Sequence, residues 1–261
     1  MQFILLPLVA ISVSCLTLFS GFGLGTLLMP AFALFFPLHI AIAATAVVHL
    51  LNNLFKIFLV GRDAHLKTVF RFGIPAAIGA LIGSYILFLL YDMTPIAGYI
   101  LFKHLFLLYP IKLAIGILIV IFALFELIPK FENIQFDRKY ISFGGLLSGF
   151  FGGISGMQGA LRSAFLTRSD MPKEAFIGTN VVCAVIVDMS RLMVYGTAIF
   201  SVNYGQIPPA TRHLVLITTL AAFIGAFIGK RLMKKVTITT VQRIVGTTLL
   251  LCGLAMSVGL I

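Results

Sequence analysis

A chain of 261 residues that is 60% hydrophobic and only 10% charged is not a soluble domain, which typically carries about 25% charge. The formal net charge of +11 belongs, in so apolar a chain, to basic loops on one side of a bilayer and not to a nucleic-acid surface. The three cysteines sit inside apolar segments without metal-ligand or disulfide spacing, and no nucleophile, zinc, phosphate-loop or paired-carboxylate motif is present. The sequence therefore predicts a multi-pass α-helical membrane protein with no enzyme activity, no cofactor and no resident metal.

The first candidate element, Phe3–Phe36, precedes any Asp, Glu, Lys or Arg and lacks the basic start of a cleaved signal, so it is expected to be retained. As one straight helix it would run about 50 Å, against a hydrocarbon core of about 30 Å. It must bend, and the glycines of Ser20-Gly-Phe-Gly-Leu-Gly25 mark the place. Ile40–Val60 follows, with His49, Asn52, Asn53 and Lys56 inside an otherwise apolar helix. Phe72–Leu90 is charge-free. Ala97–Tyr109, with Lys103 and His104 among Phe, Leu and Tyr, reads as an amphipathic surface segment or a cap over a cavity. After Ile111–Ile128 comes Tyr140–Thr167, broken like the first element by Gly149-Phe-Phe-Gly-Gly-Ile-Ser-Gly-Met-Gln-Gly159. Ala175–Phe200 carries Asn180, Asp188 and Arg191, and His213–Gly229 and Val241–Ile261 complete the series.

The chain repeats itself. Ser20-Gly21 and Ser155-Gly156 stand 135 residues apart, an offset that also pairs Pro37 with Pro172, Asn53 with Asp188, Lys56 with Arg191 and Gly61 with Gly196. Ile78-Gly-Ala-Leu-Ile-Gly83 returns as Ile224-Gly-Ala-Phe-Ile-Gly229. Such duplication in an apolar chain is how many secondary transporters are built. The predicted division is 1–128 as the first membrane repeat, 129–139 as a cytoplasmic linker and 140–261 as the second repeat. If every element crosses once, basic residues divide evenly between the two sides. If the glycine-broken elements are re-entrant hairpins, twelve Lys and Arg lie on one side and three on the other, as the positive-inside rule demands. The expected fold is thus an all-α inverted repeat, each half a glycine-broken hairpin plus three spanning helices.

Broken helices leave backbone groups that lipid cannot satisfy, so they belong beside a polar cavity. Helices restarting there aim N–H groups and partial positive charge into it, and glycine lets an anion come close. This makes Gly21, Gly23, Gly25, Thr26, Ser155, Gly156, Gln158 and Gly159 candidate substrate contacts; the alternative is that the glycines only allow tight helix packing. Arg162, in the first turn of the second restarted helix, either compensates the charge of an anion or snorkels to the interface. Asn53 and Asn180 serve as ligand donors or as glue between helices. Asp188 and Arg191 share one helix face and form an ion pair that holds the structure, gates it or couples protons. His49 and Lys56 lie one turn to either side of Asn53 and are the remaining candidates for gating or coupling.

The segments Gly21-Phe-Gly-Leu-Gly-Thr-Leu-Leu-Met-Pro30 and Gly152-Gly-Ile-Ser-Gly-Met-Gln-Gly-Ala160, with the duplicated layout, resemble the TauE/SafE sulfite exporter family. Gln158–Leu166 is similar to a subgroup of that family without a settled substrate. The resemblance implies a permease of the inner membrane for small anions such as sulfite or organosulfonates, in contact with bilayer lipid, not with nucleic acid, and compatible with homo-oligomers. Two rivals remain at this level. One is a cation or metal permease built on Asp188, His49 and the asparagines; the other is a membrane assembly or regulatory subunit without transport.

Overall fold

The computed structural model describes residues 1–20, 24–91, 93–101, 103–128, 136–166, 171–196, 209–232 and 238–260. Among these, ten α-helices carry the fold: α1 (Gln2–Ser20), α2 (Gly25–Ala33), α3 (Leu38–Val60), α4 (Leu66–Tyr91), α5 (Pro110–Leu127), α6 (Ile141–Ser155), α7 (Gly159–Leu166), α8 (Lys173–Tyr195), α9 (Pro209–Leu232) and α10 (Ile238–Ser257). Five of them, α3, α4, α5, α8 and α9, contain stretches long and apolar enough to cross a membrane, and α1 and α10 hold shorter ones. The protein is a multi-pass membrane protein.

Its polarity is inverted relative to a soluble fold. On α4, Phe70, Ile74, Ile78, Tyr85 and Leu89 recur at helical spacing and are exposed, whereas Ser84 is fully buried. The outward stripe suits lipid, so the inward face is free to carry small and polar residues.

The repeated Ile-Gly-Ala-x-Ile-Gly element has a packing role at both of its sites. A Cβ on Gly79 or Gly83 of α4 would lie 2.1 Å from the carbonyl oxygen of Leu146 or Phe150 on α6. On α9, a Cβ on Gly225 would lie 2.3 Å from the Ile11 oxygen, and one on Gly229 2.6 Å from the Cys15 oxygen, both on α1. Ile11 with Leu146, and Cys15 with Phe150, are separated by the same 135 positions that relate the two glycine clusters Ser20-Gly21 and Ser155-Gly156. Thus α4 packs on α6 as α9 packs on α1, each glycine helix clasping the first helix of the other half. A third backbone contact joins α5 and α10, where Gly116 and Gly253 approach each other reciprocally.

Breaks fall where glycine placed them. Gly156 ends α6 in the left-handed conformation, φ 77°, which side chains with a Cβ rarely adopt. Its N–H donates to the Gly152 carbonyl at 2.9 Å, and the chain restarts as α7 with the Arg162 N–H donating to the Gln158 carbonyl at 3.1 Å. In the first half, α2 restarts at Gly25, while Gly21 and Gly23 lie outside the described residues. The restarted arms have 9 and 8 residues, about 14 and 12 Å, too short to cross a core of about 30 Å alone.

One element departs from helix. Ala97–Leu101 (β1) and His104–Leu108 (β2) pair antiparallel, with Lys103 in the turn at φ 66°. Tyr99 stacks on Phe106 and its hydroxyl donates to the Val258 carbonyl at 2.6 Å, which ties the hairpin to the end of α10.

Candidate functional site

Helices α3 and α8 are built alike. Each has 23 residues and begins after a proline, Pro37 or Pro172, whose extended backbone (ψ 144° and 153°) turns the chain into the helix. Each has a glycine, Gly61 or Gly196, as its C-cap. The two helices pack against each other, so equivalent residues meet. Asn53 Nδ2 donates to Asp188 Oδ2 at 3.1 Å, a contact between repeat mates.

Asp188 is the centre of a polar network that joins four segments. His49 Nδ1 lies 2.6 Å from its Oδ2. Arg191 Nη2 lies 2.8 Å from its Oδ1, one helical turn along on α8, and Gln158 Nε2 donates to the same oxygen at 3.2 Å. Gln158 sits in the break between α6 and α7 and faces two ways, because its Oε1 accepts from Arg162 Nη1 at 2.9 Å. Arg162 Nε donates to Asn180 Oδ1 at 2.8 Å, and Asn180 Nδ2 is anchored on the Phe176 carbonyl at 2.9 Å. Arg162 is only 3% exposed and does not snorkel.

The start of α2 and the second break come together at this network. A Cβ on Gly25 would lie 3.2 Å from the Gly156 carbonyl oxygen and 3.8 Å from the His49 ring, so the start of α2 touches both the second break and α3. A Cβ on Gly156 would lie 2.8 Å from Arg191 Nη1. Gly159 is buried at the start of α7. Ser155 belongs to the turn itself: its hydroxyl donates to the Phe151 carbonyl and accepts the Met157 N–H. The Thr26 side chain lies outside the described residues.

Charge is unbalanced here. Among the described residues the buried charged side chains are Lys56, Arg162, Arg191 and Asp188, three cations against one carboxylate, with His49 beside them. Lys56 is 4% exposed and lies within electrostatic reach of Arg162 and His49. Both Asp188 oxygens are already engaged, so little negative charge is free to hold a metal cation. Among the described residues no group of three His, Cys, Asp or Glu is placed to do so. Chemically the site can accommodate negative charge and supply N–H donors around it.

Several supporting groups were not legible beforehand. Ser148 donates to the Gln158 carbonyl at 2.9 Å and fixes the break from α6. The fully buried Tyr195 hydroxyl donates to the Gly153 carbonyl. Ser14 Oγ donates to Asn52 Oδ1 at 3.2 Å, giving that asparagine a structural partner on α1. One signal for the Asn53–Asp188 contact was present in the sequence repeat, since the two residues stand at the 135-residue offset.

No curated protein and no solved structure matches the chain. The family described as Sulfite exporter TauE/SafE matches residues 6–256, nearly the whole length. Five long apolar helices, a duplicated glycine-broken layout and a buried cation-rich network agree with that match, and the chain belongs to the TauE/SafE sulfite exporter family.

Proposed function

We propose that this protein is a secondary permease of the inner membrane that exports small oxyanions such as sulfite or organosulfonates. The observation that carries the reading is the buried excess of positive charge among the described residues, with Lys56, Arg162 and Arg191 set against Asp188 where the start of α2, α7 and the second break converge. Buried cations of this kind are costly unless an opposite charge joins them. The anion sits among Gly25, the first-turn N–H groups of α2 and α7, and the Lys56 and Arg162 side chains. First-turn N–H groups lack partners inside their own helix and favour anions.

The two short arms α2 and α7 favour re-entrant hairpins and an inverted repeat, and alternating access between the halves follows from that arrangement. Helix packing refines which bodies move. Because α4 clasps α6 and α9 clasps α1, the rigid units are these mixed pairs and not residues 1–128 against 140–261. Asp188 with Arg191 and His49 holds α3 to α8 and opens or steadies the site. Export follows the field, since with the interior negative a leaving anion gains about 2.3 kcal/mol per charge per 100 mV.

Binding stabilises the folded state by mass action, about 2.7 kcal/mol at a hundred times Kd. A melting panel on purified protein with sulfite, sulfonates, carboxylates and divalent cations therefore tests the class. Sulfite or sulfonates are expected to raise Tm while the others do not. A shift with divalent cations instead would replace this reading with a cation permease. No ligand-dependent shift, together with a tightly co-purifying protein, would favour an assembly subunit.

A further inference from the structure

We propose that the carrier is an obligate anion exchanger, which closes over its site only when an anion is aboard. The inference rests on the permease reading and concerns its mode.

Arg191 and Asp188 have no exposed surface, and His49, Arg162 and Lys56 are each 4% exposed or less. The structure is therefore a closed arrangement, in which water does not hydrate these groups. Asp188 offers one negative charge, already shared by Arg191 and His49. With Lys56 protonated, two positive charges are left over among the described residues, and protonation of His49 would only add to them. When the site opens to either side, water and counter-ions compensate the excess. During passage through the closed form nothing in the described residues does so, because the other carboxylates among them lie outside this cluster.

Closure is thus favoured only with an anion that brings the missing charge, in both directions of the cycle. The empty carrier is held open, and net one-way flux is slow. A dianion neutralises the excess fully and a monoanion by half, so the chemical class that exchanges fastest is the small divalent oxyanion. Outward exchange of a dianion for a monoanion still moves net negative charge out, which keeps the membrane potential as its driving force.

The test uses purified full-length protein in proteoliposomes loaded with radiolabelled sulfite at neutral pH, with potassium and valinomycin setting an inside-negative potential. Efflux is measured into unlabelled sulfite, into methanesulfonate and into gluconate. Efflux into sulfite is expected to exceed efflux into gluconate by about tenfold or more, with methanesulfonate between them. Equal efflux into gluconate and sulfite would overturn exchange and leave the permease intact. Gluconate efflux matched by movement of protons would also overturn it, because the cluster would then be returning with a deprotonated lysine. No protein-dependent efflux into any medium would instead remove the permease reading itself. Lys56→Gln and Lys56→Met each lower the excess to one charge, and either folded variant should raise the gluconate-to-sulfite efflux ratio severalfold. An unchanged ratio in a folded variant would take Lys56 out of the argument and overturn the charge accounting.

Discussion

Replacing Asp188 by Asn keeps the shape of the side chain and removes the one buried negative charge among the described residues, which joins α3, α8 and the second break. In the structure its two oxygens receive Asn53, His49, Gln158 and Arg191 at 2.6–3.2 Å. An amide offers one acceptor in place of two and no charge, so the buried positive excess rises from two to three. Removing one partner of a buried ion pair costs about 3–5 kcal/mol. In a chain of this size each kcal/mol moves Tm by about 2–4 °C, which gives an expected fall of about 6–20 °C. Absent Trp makes intrinsic fluorescence a poor reporter, but Cys183 is buried and free, so a thiol-reactive dye reads unfolding in detergent. The double variant Asp188→Asn with Arg191→Gln should lose less than the two single variants together, a coupling of about 0.5–3 kcal/mol. A single-variant Tm within about 2 °C of the parent, or strict additivity in the double variant, would refute the view that this carboxylate holds the network together.

Other expectations follow from the same contacts. Arg162→Gln removes a charge but retains a donor for Asn180, so sulfite flux should drop by about tenfold or more while Tm stays within a few degrees; unchanged flux in reconstituted vesicles would remove Arg162 from the site. Gly79→Ala and Gly225→Ala push a methyl group into backbone on α6 and α1, and each should lower stability by about 1–3 kcal/mol to a similar degree. Thermal melts showing one tolerated and the other not would break the equivalence of the two contacts. Tyr99→Phe loses the hydroxyl bond to Val258, worth about 0.5–1.5 kcal/mol, and should speed amide exchange in the hairpin Ala97–Leu108 without affecting α3 or α8.

What the sequence made legible was whatever depends on local chemistry. The break near Gly156 could be placed because positive φ singles out glycine, and an apolar run marked the sixth element at Ala175–Phe200, where the described helix spans Lys173–Tyr195. Polar residues inside apolar helices nominated His49, Asn53, Lys56, Asp188 and Arg191 without their contacts, since His49 and Asp188 are 139 positions apart. Partner choice is a tertiary property; Gln158 bridging Arg162 to Asp188 depends on where the second break lands relative to α8. The β-hairpin escaped because Tyr99, Ile100 and Phe106 suit an amphipathic helix as well as a strand. Pairing of the two strands decides between them, and one strand alone does not show it. Arg162 illustrates a different limit, for the sequence left it between the site and the interface, whereas in the structure it is buried in the network.

The reciprocal clasp of α4 on α6 and α9 on α1 has a consequence for biogenesis. As the chain leaves the ribosome, α1 waits for a partner some two hundred positions downstream, and its carbonyl ridge stays unfilled until nearly all of the protein is in the bilayer. A gene encoding only one half would yield a product that cannot bury its own glycine helix and would have to borrow a neighbour's first helix. Such a half-length protein could mature only as two chains entwined, and fusing them end to end turns that bimolecular encounter into an intramolecular one.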